Sequence, residues 1–315
     1  MNMVFMSRYR LPLALTTVTA VAATGIGFAA VHSSADERDS DGRLSVVASF
    51  YPMEYLAERI GGSRVDLTEL TAPGVEPHDL ELTPKQVAQV GAADVVLHLK
   101  GLQPAVDTAV DRAEPAHAVD AASYAPLEQH GAEQDGAEQD GAEHDADPHI
   151  WLDPERYAEV AQGVGDSLAA ADPAHASHYR ANTAAVVADL TALDREFSTG
   201  LAGCPSTDFL TSHSAFGYLA DAYGLRQLSV SGLDPETEPS AARLAEVKTE
   251  ARQHGITTVF TEPLAGTRLA DTLADELGLR TATLDPLESA PAEGDYLSAM
   301  RANLSALRNA LGCTS

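Results

Sequence analysis

The sequence predicts a two-lobed α/β protein, and three observations carry that expectation. Short apolar strands alternate with helical stretches, the pattern of parallel βα units. The alternation occurs twice, in residues 44–172 and again in 201–315. Between the two sets runs one long helical tract, 173–200, in which Ala181, Ala184, Val187, Leu190, Leu193 and Phe197 recur every three or four residues. Each lobe is therefore expected to be a mostly parallel sheet flanked by helices, with the linker helix bridging them and a cleft between.

In the first lobe, Leu44 to Phe50 reads as a short buried strand and Met53 to Ile60 as a helix stopped by Gly61-Gly62. Val65 to Leu70 is a second strand. Thr83-Pro84 supplies an N-cap and a proline at the first helical position, opening a helix to about Ala92. Asp94 to Leu99 and Ala116 to Val119 complete the strands of this lobe. In the second lobe the strands are Phe209 to Thr211, Leu225 to Val230, Thr257 to Thr261 and Thr281 to Leu284. A helical Leu304 to Leu311 precedes Cys313.

Charge narrows the partners. The 315 residues hold 20 Lys and Arg against 47 Asp and Glu, a net charge of −27, which disfavours nucleic acid and anionic lipid. The balance suits a protein that meets cations. The two cysteines are too few for a cysteine-built zinc module, whereas the eleven histidines are a resource.

Residues 1–35 read as a leader. Arg8 and Arg10 precede the uncharged Leu11 to Ala30, and Ser33-Ser34-Ala35 offers a signal-peptidase site before the polar linker 36–43. The alternative is an uncleaved signal anchor, since about 20 apolar residues can span a bilayer. With no Cys at its end, the leader offers no lipid attachment point. The expected location is the periplasm or the outer face of the cytoplasmic membrane. Export also permits Cys204 and Cys313 to pair.

Residues 128–147 stand apart. Gly-Ala-Glu-Gln-Asp occurs at 131 and 136 and Gly-Ala-Glu-His-Asp at 141. Such a stretch buries too little apolar surface to offset its ordering entropy, and is expected to be a disordered acidic loop in the first lobe. It reads either as a solvated spacer or as a weak cation-collecting site with His130 and His144 as donors.

Four residues sit where strands of this architecture end. His78 lies in Gly74-Val75-Glu76-Pro77-His78 and His149 in Asp147-Pro148-His149-Ile150-Trp151. His213 lies in Thr211-Ser212-His213-Ser214, and Asp285 in Leu284-Asp285-Pro286. Ligands of open parallel sheets bind outside the carboxyl ends of the strands, so these four can converge in the cleft. Three imidazoles and a carboxylate suit tetrahedral Zn²⁺, while Mn²⁺ favours more oxygen donors. Taken singly, each histidine reads equally as an ordinary polar residue, the reading given to His98, His117, His175, His178 and His254. Glu262 could be a fifth ligand, a helix-capping acid or a partner that orients a histidine, the last two being preferred.

These segments resemble the metal-binding receptors of ABC importers that carry zinc or manganese. Phe50-Tyr51-Pro52, Gly232-Leu233-Asp234-Pro235-Glu236-Thr237-Glu238-Pro239-Ser240 and Phe260-Thr261-Glu262-Pro263 extend the likeness across about Leu44 to Leu311. The resemblance implies two α/β lobes, one metal in the cleft held by His78, His149, His213 and Asp285, no catalysis, and a monomer that meets a membrane permease and its ATPase. Histidine at position 213 implies zinc rather than manganese. A manganese receptor and a metal-stabilised surface adhesion protein are the alternatives. A zinc hydrolase using Glu262 as base would need a ligand position given to water. Gln103 departs from the family, which usually carries Glu there.

Overall fold

The structure is a computed structural model, and it describes residues 42–130, 146–264 and 268–314. The leader, the linker as far as residue 41, and His144 with most of the acidic stretch lie outside the described residues. Among those described, no helix is long and apolar enough to cross a membrane.

The first lobe holds β1 (Leu44–Ala48), α1 (Tyr51–Gly61), β2 (Val65–Glu69), α2 (Pro84–Ala92), β3 (Val95–His98), α3 (Pro104–Ala113), β4 (Ala118–Asp120) and α4 (Pro154–Ala171). The long α5 (Ala176–Leu201) follows. The second lobe holds β5 (Asp208–Thr211), α6 (Gly217–Ala222), β6 (Arg226–Ser229), α7 (Ala241–Gln253), β7 (Thr258–Thr261), α8 (Arg268–Leu277), β8 (Arg280–Thr283) and α9 (Tyr296–Leu311). Each sheet is fully parallel, in the orders β2-β1-β3-β4 and β6-β5-β7-β8. Both orders reverse direction beside their first strand, which opens a crevice at the carboxyl ends of β1 and β3 and of β5 and β7.

Local chemistry explains the helix starts. Thr83 and Gln86 form a capping box on α2, Asp295 and Ser298 form one on α9, and Asp153 accepts from Glu155 N at the start of α4. Pro84, Pro104 and Pro154 each open their helix where the missing N–H costs nothing.

The buried face of α5 is Tyr179, Thr183, Val186, Leu190, Leu193 and Phe197. Ala181 and Ala184, expected in that stripe, are exposed. Turning the helix to bury Tyr179 and Val186 removes more apolar area from water than burying two methyl groups would. Gly165 lets α4 close on α5, because a Cβ there would collide with Thr183.

One core runs through both lobes. Phe50 packs edge-on against Trp151 at 4.9 Å, and Tyr296 of α9 meets Tyr55 at 5.3 Å and Tyr157 at 4.7 Å. Across the same seam Trp151 Nε1 donates to Pro286 O at 2.7 Å and Tyr296 OH donates to Trp151 O at 2.5 Å. A disulfide joins Cys204, ahead of β5, to Cys313, after α9. These buried hydrogen bonds tie the seam directly beneath the cleft.

Candidate metal centre

Four loops deliver the site. His78 lies in the segment after β2, its N–H donating to Glu76 Oε1 at 3.2 Å. His149 begins a short 3₁₀ turn, Ile150–Leu152, between β4 and α4. His213 follows β5, and its carbonyl accepts from Thr211 Oγ1 at 2.6 Å and from Gln227 Nε2 at 3.0 Å. Both bonds fix the backbone from which the ring projects.

The fourth loop follows β8. Asp285 Oδ1 accepts from Leu287 N at 2.8 Å, closing an Asx turn, and Asn303 of α9 brackets Asp285 from both backbone sides at 2.8 and 2.7 Å. Leu287 sits at φ 58° with its side chain fully buried. Glu288 comes next and is 2% exposed.

The side-chain atoms of His78, His149, His213 and Glu288 that could hold a metal all lie within 4.8 Å of one another. Glu288 Oε1 is 3.1 Å from His149 Nε2, 3.4 Å from His78 Nε2 and 3.5 Å from His213 Nε2. The rings of His78 and His213 stand 5.5 and 5.4 Å from that of His149. His149, His213 and Glu288 are buried and His78 is nearly so. Nε2 of both His78 and His213 is buried without a hydrogen bond among the described residues. A shared point ringed by three imidazole nitrogens and a carboxylate is a place for a cation.

Carboxylates behind the rings set their orientation. Asp147 Oδ1 lies 2.7 Å from His149 Nδ1 and also accepts the His149 N–H at 2.9 Å. Glu262 Oε2 lies against His213 Nδ1, while its Oε1 accepts from Ser212 Oγ at 2.5 Å and from His213 N at 3.2 Å. An imidazole whose Nδ1–H is so engaged presents Nε2 to a metal.

Electrostatics follow the same geometry. Burial opposes charge on His213, but Glu262 and then Glu288 outweigh it and hold its pKa well above the usual histidine value. Burial likewise opposes charge on His149, and Asp147 with Glu288 raises it nonetheless. Burial works against ionised Glu288, yet the hydrogen bond with His149 and the close approach of the His213 and His78 rings hold its carboxyl well below the ordinary range. Without metal, the pocket keeps protons where a cation would sit.

The carboxylate in the cluster is thus Glu288, where the sequence reading had Asp285. Asp285 lies outside that cluster, its Oδ1 engaged in the turn, and burial, with the charges of Glu288 and Glu262 nearby, pushes its pKa up to about 6. Glu262 stands behind His213 as an orienting partner. Trp151 packs behind His149 at 5.2 Å, holding the lobe seam with its Nε1. His98, His175, His178 and His254 pair elsewhere, with Asp107, Asp172, the Gly61 carbonyl and Asp208. His130 lies on Asp147 and Asp221, outside the cluster. Gln103 is buried and donates to Thr71 Oγ1 at 2.9 Å, and so serves the ends of β1 and β2 rather than the metal cluster.

Comparison with known proteins adds the following. Residues 46–310 match the family described as the periplasmic zinc-uptake complex component A, ZnuA. The high-affinity zinc uptake system protein ZnuA of Bacillus subtilis is 37% identical over 298 residues, covering 90% of this chain and 92% of that one. The Zn(II)-bound crystal structure of AdcA from Streptococcus pneumoniae is 33% identical with a TM-score of 0.74; the match covers 86% of this chain but only 58% of AdcA. The laminin-binding protein Lmb of Streptococcus agalactiae, described as bifunctional with adhesin and metal-transporting activity, is 30% identical with a TM-score of 0.76, covering 85% of this chain and 99% of that one.

Proposed function

We infer the function from one premise: the chain belongs to the periplasmic zinc-uptake complex component A family. It is a high-affinity Zn²⁺ receptor of an ABC importer, not an enzyme. Zinc is its cargo, bound outside the cytoplasmic membrane. The permease and the ATPase that energises it are the partners proposed to take the metal onward.

The observation that carries the reading is the convergence of His78, His149, His213 and Glu288. We assign these four as the zinc ligands. Two come from each lobe, so a bound ion closes the seam that Trp151 and Tyr296 already tie. Three imidazoles favour a borderline ion such as Zn²⁺ over Mn²⁺, which prefers oxygen donors. Four protein donors leave no open position for a hydrolytic water, as capture requires.

Metal analysis of protein purified without added metal tests this. One zinc per chain, retained through gel filtration and released by a chelator at low pH, is expected. Protein that retains manganese instead, or no metal at all, would overturn it. A second reading, adhesion at the cell surface, rests on the laminin-binding neighbour; saturable binding to laminin by the zinc-loaded chain is the result that would support it.

A further inference from the structure

Asp147 is a fully buried carboxylate with an imidazole on each oxygen. Its Oδ1 serves His149, accepting the backbone N–H at 2.9 Å and lying 2.7 Å from Nδ1. Its Oδ2 lies 2.9 Å from Nδ1 of His130. Nε2 of His130 in turn lies 3.0 Å from Oδ2 of Asp221 on α6, and Nε2 of His149 lies 3.1 Å from Oε1 of Glu288. These contacts leave the second lobe at Asp221, cross the first through His130, Asp147 and His149, and return at Glu288.

A ring with a carboxylate oxygen at each nitrogen donates at both only as an imidazolium. Burial opposes charge on His130, but Asp147 and then Asp221 outweigh it and raise its pKa. The ring is thus a cation set between two carboxylates, one buried and one exposed. Packing holds it there. It stands edge-on to Tyr218 at 4.4 Å, and Tyr218 OH accepts from Glu128 N at 2.6 Å and donates to Asp147 O at 2.8 Å. A Cβ on Gly217 would collide with His130 and with Asp147 Oδ2, so glycine lets α6 approach both.

The consequence for zinc follows from the carboxyl group. A buried oxygen without a donor is costly, so a carboxylate satisfied on one side alone turns to find a second partner. Held at both oxygens, Asp147 keeps Oδ1 in line with His149 Nδ1. The His149 ring then keeps Nε2 aimed at the point it shares with His78, His213 and Glu288. We propose that His130 is a positioning residue for zinc capture: by holding Oδ2 of Asp147 it fixes the ring of His149, without itself touching the metal. The proposal rests on the receptor reading above, which makes His149 a ligand.

Leucine and asparagine have nearly the same shape, but asparagine alone offers an N–H close to where Nδ1 of His130 stands. Zinc affinity of the full chain, read by competition with a chelating dye, should fall about 10-fold in His130→Leu, the lower end of the range for disturbing a ligand's partner. His130→Asn should stay near the parent value. In an Asp147→Asn background, His130→Leu should cost nothing further, because residues acting through one another are not additive. In zinc-loaded, isotope-labelled protein the His149 Nδ1–H resonance should move in His130→Leu and hold in His130→Asn. The proposal is overturned by unchanged affinity in His130→Leu, by equal losses in the leucine and asparagine variants, or by a loss of the same size in the Asp147→Asn background. Absence of tight zinc binding by the parent chain would instead overturn the receptor reading.

Discussion

Glu288 of the second lobe places Oε1 3.1 Å from Nε2 of His149, a first-lobe residue, and both side chains are buried. The zinc site is closed by that pair. Glu288→Gln should therefore weaken zinc binding by more than the roughly 10–100-fold that losing a ligand's hydrogen-bonding partner costs. Asp285→Asn should change it little, because an amide oxygen can still accept from Leu287 N and preserve the turn. Competition with a chelating dye measures both, and equal losses would make Asp285 a ligand.

Glu262 acts through His213. Glu262→Gln retains an acceptor for Ser212 Oγ and the His213 N–H but removes the charge beside Nδ1. Zinc affinity should fall by about 10–100-fold. The histidine should also lose most of its upward pKa displacement, visible by NMR titration of the metal-free protein. An unchanged titration would reduce Glu262 to a backbone brace.

Protons and zinc compete for the same nitrogens. His149 and His213 are held above their ordinary value of about 6.5 in the metal-free protein, His213 well above it. Zinc affinity should then begin to fall while the pH is still above 6.5, with both rings taking up protons as metal leaves. A flat affinity between pH 5 and 8 would contradict this.

The same displacement makes stability fall with rising pH in the metal-free protein but not in the zinc-loaded one. A histidine whose folded pKa is raised stabilises the fold fully below its unfolded value and loses that contribution as pH rises through the folded value. Metal-free protein should melt lower as the pH is raised from 6.5 toward 9. Glu288, held down, adds the reverse dependence only at acid pH, below about 4.5. Zinc-loaded protein should show no decline over the alkaline range, since zinc has displaced the protons. Calorimetry of the two forms checks the sign.

The disulfide concerns the opposite end of the second lobe. Cys204 precedes β5, whereas His213 follows it, and the bond closes a span of 109 residues. Replacing both cysteines by serine should cost up to about 4.7 kcal/mol of stability on a chain-entropy argument for a loop of roughly 100 residues. Zinc affinity should stay unchanged. Urea unfolding and a zinc titration on the same variant separate the two effects.

Strands and helices were legible because their signals are local. The β1 and β3 segments are apolar runs bounded by turns, and Thr83-Pro84 marks a helix start in two residues. The three histidines that meet at Glu288 stand in turns directly beyond strands or prolines, which singled them out from His175 and His178 on helical stretches. Glu288 was not legible. Asp285 closes β8 and looks like the strand-end carboxylate, while the backbone that brings Glu288 inward depends on Leu287 adopting φ 58°, a conformation its side chain disfavours. An Asx turn at Asp-Pro-Leu-Glu was the available hint. His130 and Asp221 were equally hidden as a pair, lying 91 residues apart and meeting only when α6 packs on the stem of the acidic segment.

Anomalous diffraction at the zinc edge, from crystals of the chain loaded with one equivalent of zinc, tests the central claim most directly. The expected result is a single strong peak with Nε2 of His78, His149 and His213 and a carboxylate oxygen of Glu288 at about 2.0–2.2 Å. A zinc ion ligated by Asp285 in place of Glu288, or held outside the cleft, would contradict it.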